Sequence, residues 1–430
     1  MFEINGLDDF KELVYLHSKR YHFVWKEVVE QYEVVVKELR SLEGAFSKSR
    51  FTQIDLRGLD TSEVTTMSEL FSECIHLESV TLEGVDTSSV TDMSNMFYKC
   101  KNLCELDVSG LDTSKVVNMH HMFYRCVNLP SLDMSKFETD NVKDMGFMFS
   151  QCWQLHSLDL SNFDTSKVVF MNAMFMGCSN LERINLEGFN TSNVVDMSLM
   201  FCGCESLQNI NMSNFNTLEV RQMGKMFSGC TTLKTIDVSN FDTLNVEIFL
   251  GMFKDCESLQ GIDLSKFDTS NAVTMAYMFE NCSNLTTLDL SNFDTGNCRK
   301  MSNMFKGCKR LKNLNFESLK GEKVSLADNM FSYCESLEEL DLSNFNPVVI
   351  DNIDCMFKGC EKLEMINLPK FNIGGMVSHK SMFDDCTNLQ KITIPKSKYI
   401  MELIESEGLS DITFVTADRQ LDLGTTSLFN

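Results

Sequence analysis

A Phe-x-x-Cys unit, usually preceded by methionine, recurs at one fixed interval along most of the chain. Its phenylalanines are 26 residues apart at every step: Phe71, Phe97, Phe123, Phe149, Phe175, Phe201, Phe227, Phe253, Phe279, Phe305, Phe331, Phe357 and Phe383. A leucine follows each cysteine after three more positions. One added residue would move every later core side chain out of line, so twelve equal intervals predict a solenoid of coils with constant length.

Each coil carries two hydrophobic patterns. Leu158 and Leu160 alternate with polar residues, which predicts a half-buried strand. Further on, apolar residues at intervals of three, three, one and three predict one face of a short helix: Val168, Met171, Met174, Phe175 and Cys178. Short polar side chains before this segment are typical of helix starts, so the helix is predicted to begin near Thr165. The Asp-Thr column, from Asp60-Thr61 to Asp294-Thr295, is interpreted as helix caps.

These patterns predict a right-handed α/β solenoid with one short strand and one short helix per coil, and a parallel sheet on one side. Neighbouring strands lie ~4.8 Å apart, so thirteen coils would give a sheet roughly 60 Å long. We expect an N-terminal helical cap over residues 1–50, the solenoid over 51–394 and a C-terminal cap over 395–430.

The repeat itself resembles a known family. Leu-Asp-Leu-Ser-Asn-Phe-Asp-Thr-Ser-x-Val, followed by Met-x-x-Met-Phe-x-x-Cys, is similar to the BspA-like leucine-rich repeats. The closer resemblance is to the type found in mycoplasma lipoproteins and other bacterial surface proteins, and it covers about residues 51–394. It implies a leucine-rich-repeat-like, ligand-binding solenoid whose sheet face is the usual recognition surface, and adhesion to proteins of a host or a neighbouring cell.

The two ends differ from the repeat. Ten apolar residues between positions 7 and 43 recur at roughly helical spacing, which predicts one or two amphipathic helices that cover the first coil. A dimerising or docking helix is the alternative, with self-association through residues 1–50. The cluster Lys19–Lys26 mixes basic and aromatic residues but is short. At the other end, residues 391–395 predict a strand, 399–407 a helix and 411–415 a closing strand.

The composition excludes several function classes. A net charge of -23 argues against direct binding to nucleic acid. The first residues lack the features of a secretion signal, and no apolar run is long enough to span a membrane. We therefore expect a cytoplasmic protein; the alternative is a surface or secreted protein exported by a non-classical route. The sequence contains no phosphate-binding glycine loop and no nucleophile motif, so we predict no enzyme activity and no cofactor.

The cysteines and histidines give no metal-site pattern either. Thirteen of the seventeen cysteines stand 26 residues apart on an apolar face, which indicates buried thiols. The others are Cys104, Cys202, Cys298 and Cys355, and the one adjacent histidine pair, His120-His121, lacks metal-ligand spacing. No metal site is predicted, and the methionine columns are interpreted as packing residues.

The middle exposed strand position is polar in every coil: Asp55, Thr81, Asp107, Asp133, Asp159, Asn185, Asn211, Asp237, Asp263, Asp289, Asn315, Asp341, Asn367 and Thr393. We call this column the stripe. Aspartates ~5 Å apart repel by roughly 1 to 3 kcal/mol per pair before salt screening. A solvated row that keeps the chain soluble would explain the stripe, as would a binding surface. On the second hypothesis the partner-binding residues are Asp107, Asp133, Asp159, Asn185, Asn211, Asp237, Asp263, Asp289 and Asp341, with flanking columns such as Ser131, Ser157, Arg183 and Asn209.

The sequence thus predicts a non-catalytic solenoid that presents an acidic sheet surface to a protein partner, as a scaffold or an adhesin. The alternative is an acidic mimic of nucleic acid that blocks a basic DNA- or RNA-binding protein. After Thr295 the repeat loosens, with Lys320-Gly321 and Asn346-Pro347 in place of Asp-Thr. This change indicates either drift near a cap or a specialised patch.

Overall fold

Each 26-residue repeat closes one coil in the computed structural model, and successive coils pair in parallel. The structure describes residues 2–18, 34–37, 39–371, 377–395, 397–407, 409, 412–415 and 420–421. The chain forms two compact units, Met1–Glu219 and Val220–Asn430. Each unit is a solenoid built from the same coil, and predicted parallel strands are present in both. The strand expected in every coil is absent at Asp133, Asn211, Asp237 and Asp263, which lie on segments that form no strand.

The strands of the first unit are short. They are β1 (Phe2–Asn5), β2 (Val34–Lys37), β3 (Gln53–Asp55), β4 (Ser79–Thr81), β5 (Glu105–Leu106), β6 (Ser157–Asp159) and β7 (Arg183–Asn185), with helix α1 at Leu7–Ser18. Strands β3 to β5 form one parallel sheet and β6 pairs with β7. Partners are 26 residues apart, as in Leu158 opposite Ile184.

The second unit repeats this arrangement. Its strands are β8 (Thr287–Asp289), β9 (Asn313–Asn315), β10 (Glu339–Asp341), β11 (Met365–Asn367), β12 (Lys391–Thr393), β13 (Thr413–Val415) and β14 (Gln420–Leu421), with helix α2 at Lys398–Ser406. Strands β8 and β9 pair in parallel, and β10 to β13 form a parallel sheet to which β14 adds in the antiparallel sense.

The predicted helix in each coil is wrong. The segment is a series of tight turns, in which the N–H groups of Leu70, Ser72 and Cys74 bond to carbonyls three residues earlier at 2.9–3.2 Å. The intervening N–H groups, from Met67 to Glu73, donate instead to carbonyls of the next coil at 2.6–2.9 Å. In an α-helix each N–H after the first turn bonds to the carbonyl four residues earlier in the same segment. Here alternate groups bind sideways, which makes a second ladder between the coils.

The backbone conformation explains why these turns cannot be helical. In the same coil Glu69 and Glu73 have φ of 57° and 58°, in the left-handed region. Equivalent residues recur two positions before and two after each core phenylalanine. The later position is glycine in five coils: Gly177, Gly203, Gly229, Gly307 and Gly359. Two left-handed residues per coil reverse the chain direction at each turn and exclude a continuous right-handed helix.

The predicted core columns are confirmed. In the first unit, the phenylalanines of the Phe-x-x-Cys units stack ring on ring, and Phe46 extends this column at its start. The centroids of successive rings from Phe46 to Phe201 are 5.2–5.7 Å apart. The corresponding distances from Phe227 to Phe383 in the second unit are 5.4–5.8 Å. Methionines of both columns, such as Met171 and Met174, are fully buried beside them. Aromatic and thioether packing therefore fills the space between the strands and the turn ladder.

The Asp-Thr column does not cap helices, because the turns that follow it are not helical. The hydroxyl of Thr165 donates to the carbonyl of Asn190 in the next coil and accepts the N–H of the same residue, both at 2.8 Å. Thr113 and Thr191 bind Glu138 and Asn216 in the same way. The buried threonine is thus a clamp between coils.

The structure describes part of the N-terminal region. Strand β1 pairs in parallel with β2, and α1 places Phe10 edge-on against Phe46 at 5.5 Å. The helical spacing predicted across residues 7–43 gives one helix, α1, within the described residues; Val35, one of its ten positions, lies on β2. Tyr21, Val24, Val28 and Tyr32 and the cluster Lys19–Lys26 lie outside the described residues. The turn ladder already begins at residues 41–48, where Phe46 N–H donates to the Leu70 carbonyl at 2.9 Å.

The C-terminal prediction is confirmed in outline. Strand β12 is followed by α2, and β13 returns to pair in parallel with β12. The Ile394 N–H donates to the Val415 carbonyl at 2.9 Å. Phe414 is fully buried, so β13 covers the apolar edge of the last coil. Asp411, the first residue predicted for this strand, lies outside the described residues.

Candidate functional site

The stripe side chains are held where each strand ends. In the first unit, Oδ1 of Asp107, Asp133 and Asp159 accepts the N–H of the serine two residues later at 2.9–3.0 Å. Oδ1 of Asn185 accepts the N–H of Glu187 at 3.2 Å, and Oδ1 of Asn211 accepts the N–H of Ser213 at 3.1 Å. In these coils the turn uses a side-chain oxygen at this position, and either an aspartate or an asparagine supplies it.

The second unit has the same arrangement. Oδ1 of Asp237, Asp263, Asp289 and Asp341 accepts a serine N–H at 2.8–3.0 Å. All nine residues predicted to bind a partner are exposed, and each occupies the same position in its coil. The structure thus places all nine on the exposed side of their coils, at the end of a strand or, for Asp133, Asn211, Asp237 and Asp263, on the equivalent segment that forms no strand.

The hydrogen bonds from serine also fix the charge of the row. They lower the pKa of Asp107, through the side chain and N–H of Ser109, and that of Asp133, through the N–H and side chain of Ser135. Asp159, Asp237 and Asp263 have lowered pKa values for the same reason. Since an aspartate is ionised well above its pKa, these five carboxylates are charged at neutral pH.

The start of the stripe differs. Oδ2 of Asp55 lies 2.6 Å from Nη2 of Arg57, so this carboxylate is already paired. The same guanidinium reaches Glu83 at 3.7 Å. Along the first unit, Asp107 is therefore the first exposed stripe aspartate that has a serine two residues later.

In the second unit the strand face contains a concavity of about 860 Å³ over β9 to β12. Four stripe residues line it: Asn315, Asp341, Asn367 and Thr393. Lysines and glutamates flank them: Lys312, Glu338, Glu339 and Lys391. The concavity lies in the last coils, where the sequence pattern loosens.

A proline changes the stripe inside this concavity. Pro369 stands two residues after Asn367, where every earlier coil has an N–H donor, and proline has none. Nδ2 of Asn367 donates instead to Oδ1 of Asp341 at 2.9 Å, and the same oxygen accepts the Ser343 N–H at 2.8 Å. Asp341 is thereby tied to two neighbours.

The predicted burial of the thirteen repeat cysteines is confirmed for twelve of them, and Cys386 in the last coil is half-buried. Sγ of Cys178 donates to the Phe149 carbonyl of the preceding coil at 3.1 Å, and burial raises its pKa to about 12. Cys308 has the same environment. Of the four cysteines outside the 26-residue repeat position, Cys298 is buried, Cys202 and Cys355 are half-buried, and Cys104 is exposed. Among the residues that the structure describes, no group of three His, Cys, Asp or Glu side chains is placed to hold a metal ion.

Sequence reasoning missed one side-chain cluster on the turn ladder of the first unit. Nδ1 of His120 lies 3.0 Å from Oδ1 of Asp144, and the ring of His121 stacks on Phe147 at 4.7 Å. Burial lowers the pKa of His121 to about 4, so this imidazole is neutral at pH 7. The two adjacent histidines therefore contact different side chains, His120 an aspartate and His121 a phenylalanine. Their spacing in the sequence did not predict these contacts.

None of the helices in the described part of the chain has the length and apolar character needed to cross a bilayer.

A family model described as "Mycoplasma protein of unknown function, DUF285" matches residues 40–152, 97–208, 178–288 and 273–396. The chain belongs to the DUF285 family. The match confirms the predicted resemblance to BspA-like leucine-rich repeats of the mycoplasma type. No curated protein matches this DUF285 chain.

Solved structures of bacterial leucine-rich repeat proteins are similar to this DUF285 chain at low identity. One from Bacteroides ovatus is 17% identical, with 82% of this chain and 87% of that chain covered and a TM-score of 0.45. A leucine-rich cell surface protein from Faecalibacterium prausnitzii is 18% identical, with 90% and 84% covered and a TM-score of 0.38. A leucine-rich repeat protein from Eubacterium ventriosum is 14% identical, with 82% of each chain covered and a TM-score of 0.30.

Proposed function

We propose that this DUF285 protein is a non-catalytic, protein-binding solenoid, a scaffold or an adhesin, that recognises its partner through the stripe. One observation carries the proposal. The turn at each strand end needs only an oxygen, as Asn185 and Asn211 show, yet Asp107, Asp133 and Asp159 all bear a charge. The repulsion between them gives no advantage to the fold.

The concavity of the second unit supports the same proposal. It places stripe residues beside lysines and glutamates that form no ion pair among the described residues, so both signs of charge are open to a partner. An interface of mixed charge fixes the orientation of a partner and disfavours wrong ones. The charged stripe would then supply attraction, and the concavity specificity.

The test removes charge without disturbing the turns. Asp107, Asp133, Asp159, Asp237, Asp263 and Asp289 are all changed to Asn, which keeps the oxygen that accepts the serine N–H. Proteins retained from lysate and from host-cell extract are identified for wild type and variant, and affinity is then measured with the purified partner. We expect the variant to lose the partner.

A second column of the same chain provides a matched control. Asp60, Asp86, Asp112, Asp164, Asp268 and Asp294 are exposed and also accept the N–H two residues on, but each lies outside the stripe, directly before the buried threonine of its coil. Changing these six to Asn removes the same charge in the same kind of turn. Equal loss in both variants, or no loss in the stripe variant, contradicts the proposal.

Salt dependence separates the alternative function. An acidic mimic of nucleic acid would lose a basic partner steeply as the sodium chloride concentration rises, because its attraction is mostly electrostatic. Recognition that also uses the shape of the concavity weakens less. A steep loss combined with a DNA- or RNA-binding partner would favour the mimic over the scaffold or adhesin.

Self-association through residues 1–50 and the cytoplasmic location, with the cell surface as its alternative, stay predictions. Leu16 on α1 is 56% exposed, so Leu16→Glu removes an apolar contact of any dimer formed there. Light scattering on wild type and variant tests this association. Cell fractionation with surface proteolysis tests the location.

A further inference from the structure

A cluster of cationic side chains surrounds a cavity near the start of the first unit. The cavity has a volume of about 410 Å³ and is built by three successive turns of the ladder. Lys48 and Arg50 come from the first turn, Glu73 from the second, and Lys99 and Lys101 from the third. Four cations and one carboxylate therefore face the same space.

The single carboxylate leaves most of this charge uncompensated. Glu73 accepts a hydrogen bond from Nζ of Lys99 at 3.0 Å and lies 3.8 Å from Nζ of Lys48. Arg50 and Lys101 form no ion pair within the described part of the chain. The four cations and Glu73 give the cavity a net charge of +3 in a protein of net charge -23. At physiological salt, charges beyond about 8 Å are largely screened, so the local excess decides what binds there.

We propose that this cavity binds a compact polyanion, of which a diphosphate group is the best match. A guanidinium such as Arg50 pairs with two phosphate oxygens at once, and lysines contribute additional point charges. A volume of about 410 Å³ lies within the range of small-molecule sites. An adjoining cavity of about 700 Å³ shares Lys48 and Arg50 and adds Lys11 beside Tyr15, which leaves room for an organic group attached to the diphosphate.

The test uses pyrophosphate as the probe and isothermal titration calorimetry on the full chain. Arg50→Gln with Lys101→Gln removes the two cations that have no ion pair in the described residues. We expect the wild type to bind one pyrophosphate and the double variant to bind at least about tenfold more weakly, because two charge-assisted hydrogen bonds are lost. Thermal unfolding of each variant shows whether its fold is intact.

Two control variants sharpen the result. Lys115→Gln with Lys143→Gln removes the same charge from exposed lysines outside the cavity and should leave binding unchanged. The stripe variant should also bind pyrophosphate, which keeps this inference separate from the proposed function. The inference is overturned if the wild type does not bind pyrophosphate, or if the Arg50/Lys101 variant and the Lys115/Lys143 variant weaken binding equally.

A membrane phosphate is the other source of this chemistry. Co-sedimentation with phosphatidylcholine vesicles that contain phosphatidic acid distinguishes the two sources. Vesicle binding that depends on Arg50 and Lys101, without binding of free pyrophosphate, would refute the proposal of a small soluble ligand.

Discussion

At the position of the threonine clamp, we predict that the same substitution lowers the free energy of unfolding in one coil and raises it in another. Thr165 is fully buried, and its hydroxyl satisfies both the N–H and the carbonyl of Asn190. Thr61 occupies the same position in an earlier coil and is 2% exposed, but among the described residues its Oγ1 has no hydrogen-bond partner. Valine has the same shape as threonine without the hydroxyl, so Thr→Val separates hydrogen bonding from packing.

The magnitudes follow from these contacts. Thr165→Val leaves one N–H and one carbonyl unpaired, at about 1 to 3 kcal/mol for each buried group. Because the Asn190 side chain is exposed, water can reach part of this site, and we expect a loss of about 2 kcal/mol in the free energy of unfolding. Thr165→Ser keeps the hydroxyl and loses one methyl group, at about 1 kcal/mol. Thr61→Val removes an unpaired buried hydroxyl and should stabilise by about 1 kcal/mol.

Urea unfolding followed by circular dichroism measures these differences. Hydrogen exchange of the Asn190 amide provides a local readout, which is needed because stacked repeats can unfold in parts. The expected order of stability is wild type, Thr165→Ser, Thr165→Val. If the serine variant is the less stable of the two, or if Thr61→Val loses as much as Thr165→Val, packing rather than hydrogen bonding explains the column and the clamp is refuted.

Three further predictions follow from the coil geometry. Gly188→Ala should destabilise by roughly 1 to 3 kcal/mol in urea unfolding, because a Cβ would lie 2.3 Å from the Ser161 carbonyl oxygen; Gly110→Ala, at the same repeat position with open space, should be neutral. Cys178 keeps its proton in the folded state while an unfolded thiol ionises near its ordinary value of 9.0, so the free energy of unfolding should fall as pH rises from 9 towards 12, measured by urea midpoints. Asp133→Asn should change stability by less than about 0.5 kcal/mol, with any gain disappearing at high salt, as thermal unfolding at two ionic strengths would show.

Much of the coil follows from the 26-residue interval. Side chains at fixed repeat positions must meet their equivalents in the next coil, so the columns that contain Phe175, Cys178 and Leu158 were identifiable as core. The exposed position of Asp159 followed from alternation along the strand. The hydrogen bond between the stripe oxygen and the N–H two residues later could not be predicted from the sequence, because it depends on a backbone turn that the hydrophobic pattern does not encode.

The per-coil helix was wrong because the apolar spacing fits both a helix and a series of turns. Intervals of three, three, one and three place side chains on one face in either conformation. The glycines between the phenylalanine and the cysteine, such as Gly177 and Gly203, were the signal against a helix. Glycine is the residue most compatible with φ of 72° and 73°, which these positions have.

The first turn of the ladder was missed because it breaks the interval. Phe46 precedes Phe71 by 25 residues, and Ser49 stands where the other copies have cysteine. The Ser49 hydroxyl nevertheless lies 3.4 Å from Sγ of Cys74, and Sγ of Cys74 donates to the Phe46 carbonyl at 2.9 Å. A search for the full Phe-x-x-Cys unit cannot find this turn, although its contacts match those of later coils.

The location of the missing residue shows what keeps the interval constant elsewhere. In other coils the cysteine is followed after three residues by a buried leucine, whereas Phe51 follows Ser49 after two and is 1% exposed. The larger ring fills the place of the leucine and lies 6.3 Å from the ring of Phe46. On its other side Phe46 meets Phe10 of α1 instead of another coil. A coil with neighbours on both sides must keep its strand, its threonine clamp and its turn ladder in register with each neighbour. A deletion in such a coil would therefore break all three sets of contacts on both sides. At the end of the solenoid, one larger side chain is enough to fill the space left by the missing residue.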